Sequence, residues 1–200
     1  MTAPASASYP ASLTLDPPDR IANWRPLVHW LLALPHYVVM YALGIVAEVC
    51  GVISWFAILF TGKDLEGLAG LRCLYLRYSM RTWAYMGFLV EGYPPFSFDT
   101  TGADPGDYER FRIDVAPQLE GRNRLTVLFR LLMVIPHAIV LGIAWIGGFV
   151  CVVIALFAVL FTGRWPSGLR DFVVGLMRWN LRVNAYMFLL VDDYPPFSTD

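Results

Sequence analysis

Sliding the chain against itself by about a hundred positions superposes short identities without a gap, so whatever one half folds into, the other must fold into as well. Pro35-His36 falls on Pro136-His137, Phe56-Ala57 on Phe157-Ala158, and Leu59-Phe60-Thr61-Gly62 on Leu160-Phe161-Thr162-Gly163. Arg77 and Arg81 fall on Arg178 and Arg182, Ala84-Tyr85-Met86 on Ala185-Tyr186-Met187, and each half closes with Tyr-Pro-Pro-Phe-Ser, at Tyr93 to Ser97 and Tyr194 to Ser198. The polar, turn-rich stretch Thr100 to Asp107 reads as the linker, which leaves units at 1–99 and 108–200.

Each unit contains a long apolar run. From Pro26 to Gly62 the only charge is Glu48, and Leu131 to Gly163 carries none. With 57% hydrophobic and 16% charged residues and a mean hydropathy of +0.53, the chain departs from the composition of a soluble domain, and a membrane location is expected. A straight helix of roughly 35 residues would be on the order of 50 Å long against a hydrocarbon core of about 30 Å, which argues against one span per run. Basic residues flank both runs on both sides: Arg20 and Arg25, then Lys63, Arg72, Arg77 and Arg81; Arg110 to Arg130, then Arg164 to Arg182. A tight hairpin in each unit, over 26–62 and 131–163, would gather all four clusters on one face, as the positive-inside tendency favours. It would set Glu48 at the outer turn and Gly147-Gly148 at the equivalent bend.

After each run, 68–83 and 169–184 place arginines among aromatic and aliphatic residues. Arg77 and Arg81 share a helix face, so both stretches are expected to be amphipathic helices at the cytoplasmic interface. The short apolar stretches 85–90 and 186–191 read as strands that pair with the leaders around Leu13-Leu15 and Arg112-Val115. The fold class is therefore mainly α and integral to a membrane: two tandem repeats, each a hairpin, an interfacial helix and short strands outside the bilayer.

The Leu13-Thr14-Leu15-Asp16 leader, Pro-His inside a long apolar run, Phe-Thr-Gly at its end, Arg-x-x-x-Arg, Ala-Tyr-Met and Tyr-Pro-Pro-Phe together resemble the bacterial membrane family DUF4389, a domain of unknown function. The resemblance extends over both units. The second copy departs at its leader, where Arg112-Ile113-Asp114-Val115 precedes Arg122-Asn123-Arg124 in place of Pro18-Asp19-Arg20. It implies an architecture and a bacterial inner-membrane location, and no mechanism.

Among residues able to carry chemistry, His36 and His137 occupy equivalent positions. As an axial pair they would suit haem, and as single groups a proton relay. The structural alternative is that each follows a helix-kinking proline and binds a freed carbonyl near Leu31 or Leu32 and its counterpart. The counterpart of Glu48 in the second copy is Phe149, so a site built on it is asymmetric. Arg77, Arg81, Arg178 and Arg182 would meet lipid phosphates or pair with Glu91, Asp99, Asp192, Asp193 and Asp200. Tyr93, Phe96, Tyr194 and Phe197 are expected to anchor at the interface. Cys50, Cys73 and Cys151 form no metal or redox spacing and read as packing residues. No nucleophile elbow, P-loop or dinucleotide-binding glycine pattern is present, and a net charge of -1 gives no reason to expect nucleic acid. The expected function is a non-enzymatic accessory or scaffold subunit contacting lipid or a membrane protein complex, without cofactor or metal. A small transporter or channel with a site between the repeats is the alternative, and a membrane-embedded enzyme or haem protein the third. Met1 to Ser8 lacks the features of an export signal, so both termini are expected in the cytoplasm of a multi-pass protein.

Overall fold

The computed structural model describes residues 9–200; the Met1 to Ser8 stretch lies outside them. The order is β1 (Ala11–Leu15), α1 (Arg25–Leu32), α2 (Leu34–Thr61), α3 (Glu66–Met86), β2 (Phe111–Val115), α4 (Arg124–Thr162) and α5 (Ser167–Met187).

Neither apolar run folds into a hairpin, which corrects that expectation: the second lies in one helix, α4, and the first in the short α1 followed by the long α2. α2 passes through Glu48 and α4 through Gly147-Gly148 without leaving the helix. Both are long and apolar enough to cross a membrane. Asn123 caps α4 by accepting from the amides of Leu125 and Thr126. The repeated Phe-Thr-Gly marks the other end: Gly62 and Gly163 adopt φ of 74° and 68°, a left-handed cap that glycine supplies without steric cost. Pro35 begins α2 after a break at Ala33, whereas α4 continues through Pro136.

Only a narrow stripe of each long helix is covered. On α4 it is Val127, Arg130, Val134, His137, Leu141, Gly148, Cys151, Ala155 and Val159, spaced by threes, fours and a seven. The covering partners are α3 on α2 and α5 on α4, each antiparallel to its long helix. Tyr75 and Tyr78 of α3 meet Gly44 and His36, and Leu176 and Trp179 of α5 meet Gly148 and His137. The opposite sides of α3 and α5 face a third layer. Gly70 abuts Thr100, Gly175 abuts Thr199, and Arg178 reaches the carbonyl of Leu13 in β1. The layers thus run from α1, α2 and α4, through α3 and α5, to the sheet, the linker and the closing segments.

Two further expectations are corrected. α3 and α5 do not lie with an arginine face outward; most of α3 is buried on every side. Positions 85–90 and 186–191 are not strands. They form the last helical turn and a reversal in which Phe88 and Leu189 take φ of 58° and 61°, while the amides of Leu89 and Leu190 bond back to Ala84 and Ala185. The leaders pair with each other instead, antiparallel, with Leu13 opposite Ile113. Ala11, Leu13, Phe111, Ile113 and Val115 point inward, and Ser12, Thr14, Arg112 and Asp114 outward.

The units meet head to tail. The carbonyls of Gly62 and Gly163 accept from the amides of Arg122 and Ile21, which are equivalent positions in the repeat. The end of α2 therefore lies beside the start of α4, where Trp55 donates to the carbonyl of Val127 at 3.1 Å. The end of α4 lies beside the start of α1, where Asn23 donates to the carbonyl of Leu160.

Candidate functional site

The two most regular motifs are each other's partners. In the first unit the Tyr93 hydroxyl donates to the carbonyl of Leu32, three residues before Pro35, and Phe96 stacks on His36 at 4.3 Å between centroids. In the second, Tyr194 donates to the carbonyl of Met133, three residues before Pro136, and Phe197 stacks on His137 at 3.8 Å. Each imidazole is fully buried and held at Nδ1, His36 by the Tyr78 hydroxyl at 2.6 Å and His137 by the Trp179 indole at 3.1 Å. Because Trp179 can only donate, the neutral His137 ring carries its proton on Nε2. The expected histidine-to-carbonyl bond is thus replaced: tyrosine satisfies the carbonyl beside the proline, and histidine packs in an aromatic cage. Each cage is closed within its own unit, so the two imidazoles do not form an axial pair. Among the described residues no group of three or more His, Cys, Asp or Glu side chains is placed to hold a metal.

The repeated arginines are brought to protein oxygens. Arg77 donates to Asp99 and to the carbonyls of Thr101 and Ala103, and Arg81 to both carboxylate oxygens of Asp104, with Asp107 at 2.8 Å. Arg182 donates to the carbonyls of Ser198 and Asp200. They tie the linker and the closing segment onto the central helices, and lipid phosphate has no access to Arg77 or Arg81, each 2% exposed. Of the carboxylates proposed for this pairing, Asp99 takes part directly, Asp200 through its backbone, and Glu91 binds Arg25 instead. Hydrogen bonds from the Thr101 hydroxyl and amide hold Asp99 below the usual carboxylate range.

Between the units lies a charge network that sequence reasoning missed. Asp64 accepts from Arg72 at 2.5 Å and faces Arg122 at 3.6 Å; Asp192 accepts from Arg122 at 2.7 Å and from Arg130 at 2.5 Å. The same arginines donate to the carbonyls of Phe188, Leu189 and Val191 around the left-handed turn after α5. Burial pushes Asp192 up, but bonds from Arg122 and the Asn123 amide outweigh it and hold the carboxyl below its ordinary value. At the other seam the equivalent positions are Trp165, Val173, Ile21 and His29, three apolar side chains and an imidazole held on the Tyr85 carbonyl, with the Glu91 and Arg25 pair at its edge. The signal was in the repeat: Asp64, Arg72, Arg122 and Arg130 are positions where one copy carries a full charge and the other does not, while Asp192 keeps its acidic counterpart in Glu91.

Over the ionic seam, a cleft of about 600 Å³ opens between α2 and α4, lined by Glu48, Val52, Trp55, Arg130, Leu131 and Leu189 among others. Glu48 lies midway along α2, not at a turn, and its charge adds to the burial that raises the Tyr75 phenol beneath it.

The fold and these contacts define a duplicated, mainly helical protein, with five helices, a two-stranded sheet and one apolar outer layer among the described residues. The chain belongs to the DUF4389 family, a domain of unknown function, which matches residues 23–97 and 124–199. The two matches begin ahead of α1 and at the start of α4 and end just past the Tyr-Pro-Pro-Phe clasps, so each contains one complete histidine cage. Comparison with the curated proteins and with the solved structures gave no match.

Proposed function

We propose that this protein is a non-enzymatic membrane accessory subunit, held in lipid by α1, α2 and α4 and offering its opposite layer to a membrane protein complex in the bacterial inner membrane. The observation that carries this reading is one-sidedness. Val38, Tyr41, Phe60, Leu131, Ile143, Ile146, Phe149 and Phe161 all stand out from the long helices into open surroundings. That surface is far larger than the apolar patches soluble monomers leave exposed. The third layer presents Arg110, Arg112 and Asp114 outward, a polar surface suited to a protein partner. The three free cysteines are buried, and burial pushes the Cys73 thiol up to about 11, which makes it a poor nucleophile. Retention of the protein in membranes after alkaline carbonate washing, and its co-purification with a defined partner after mild solubilisation, are the expected results. A protein that stays alone and monomeric in several detergents would overturn the scaffold reading.

A transporter with a site between the repeats is the second reading, favoured by the cleft beside Glu48. It predicts a liposome flux that Glu48→Gln reduces severalfold; flux indifferent to that change removes it.

A further inference from the structure

We infer that the two long helices lie in the plane of a single leaflet, with the pseudo-two-fold axis of the repeats along the membrane normal, and do not cross the bilayer. This rests on the membrane reading above. Four observations carry it.

The first is the layering. α3 runs alongside α2 and α5 alongside α4, and the sheet, linker and closing segments cover their far sides. If α2 and α4 stood upright, that third layer would stand at the same depth, placing Arg112, Asp114, Asp107 and Asp99 in hydrocarbon. Laid flat, the apolar layer enters lipid and every one of those charges faces water.

The second is the length of the apolar face. Leu125 and Phe161 are 69% and 77% exposed at opposite ends of α4. Thirty-six residues separate them, about 54 Å of helix, against a hydrocarbon core of about 30 Å. Both ends can be in lipid only if the axis is tilted far beyond the 0–40° or so common for spanning helices. A helix about 10–12 Å across fits within one leaflet of about 15 Å.

Third, α2 and α4 run antiparallel, with Lys63 and Arg124 at one end of the pair and Arg20 and Arg164 at the other. Upright helices would put a basic cluster on each side of the membrane. Flat helices put both clusters at the rim of one face, where anionic headgroups attract them. Finally, Glu48 is at the midpoint of α2 and exposed at the cleft between α2 and α4; an upright helix would set it at the bilayer centre, whereas a flat one keeps it within a single leaflet, close to the buried Arg130 and its partner Asp192.

The occupant of the face is thus the acyl region of one leaflet, and the chain is monotopic. Two measurements test this on the full chain in sealed vesicles of phosphatidylethanolamine and phosphatidylglycerol. In the first, a membrane-impermeant maleimide is applied to Lys63→Cys and Arg164→Cys variants. Both sites are exposed and the three native cysteines are buried. Labelling of both from the same side is expected; labelling from opposite sides overturns the inference. In the second, spin labels at Leu125, Ile143 and Phe161 report depth by their accessibility to oxygen. Equal depths are expected, whereas an Ile143 label deeper than both others overturns it. Labels that report neither lipid nor water but a second copy, by dipolar broadening, also overturn it. A protein that does not float with the vesicles at all fails the membrane reading itself, a separate outcome.

Discussion

At the scale of single residues, the least replaceable group is Asp192, because two guanidinium groups converge on one of its oxygens. Asp192→Asn leaves Arg122 and Arg130 buried without a full counter-charge, and a loss of about 3–5 kcal/mol is expected. Denaturant titration in detergent measures it. Glu91→Gln, at the equivalent place in the other unit, removes a partner that is more than a third exposed, and its cost should stay below about 1 kcal/mol. The pH dependence follows from the same contacts. Since the folded carboxyl of Asp192 titrates below its ordinary value of 3.8, its stabilising effect is complete above that value and is lost as pH falls from there toward the folded one. Thermal melts of the native protein should therefore drop across the aspartate range, and those of Asp192→Asn should drop less. A smaller effect belongs to the clasp: Tyr194→Phe strips the bond to the Met133 carbonyl and is expected to cost about 1 kcal/mol. Reading residues one at a time, the sequence revealed the arginine and histidine pairs and named Asp99 among the possible partners, but it left carboxylate and lipid phosphate as equal choices. Arg77 and Asp99 are twenty-two positions apart, and nothing local distinguishes a guanidinium that meets phosphate from one that meets a carboxylate.

The elements are set by close approach as much as by hydropathy. At Gly70 of α3 an added Cβ would stand 2.7 Å from the carbonyl oxygen of Thr100, and at Gly175 of α5, 2.9 Å from that of Thr199. Both obstacles are backbone, so Gly70→Ala and Gly175→Ala should each destabilise by about 1–3 kcal/mol by prising the third layer off its helix. Gly142 of α4 meets nothing within 4 Å, and Gly142→Ala should stabilise by up to about 1 kcal/mol through helix propensity. Opposite signs at chemically identical substitutions, read from melting temperatures, would establish which helix faces are covered. The helices after each apolar run were legible, because arginines four apart among apolar residues fit only that period. Their surroundings were not, since a helix buried among polar partners carries the same arginines as one lying on lipid. Tyr85 to Val90 was misread because an apolar stretch of six residues has no period to separate strand from helix end. The hairpins were inferred from charge at the run ends, on the premise that the runs stand upright. With the units head to tail, flat helices satisfy the same charges.

On the scale of the whole molecule the duplication did not produce two domains. β1 belongs to the first unit by sequence but pairs with β2 of the second and is bonded by Arg178 of α5. Asp64 and Arg72 of the first unit complete their bonds on Arg122 and on the Phe188 carbonyl. Even the linker is shared, with Asp104 accepting from Arg81 on one side and from the Ile113 amide on the other. This interdependence was foreshadowed by the repeat but hidden in its details, because a lone unit and half of a fused pair have the same internal pattern. A single unit would expose the inward side chains of one strand and leave Asp64, Arg72 or Arg122 without their partners, a loss comparable with the 5–15 kcal/mol or so that holds a domain together. Fragments 1–106 and 107–200 expressed separately should therefore give no cooperative melt, while co-expression should return a one-to-one complex with the helical content of the intact chain. The cut falls after Gly106, whose positive φ and exposed position mark a turn where a broken peptide disturbs little. A lone fragment that melts cooperatively would mean that the seams between units are accessory, and the head-to-tail pairing would lose its place as the organising contact of the fold.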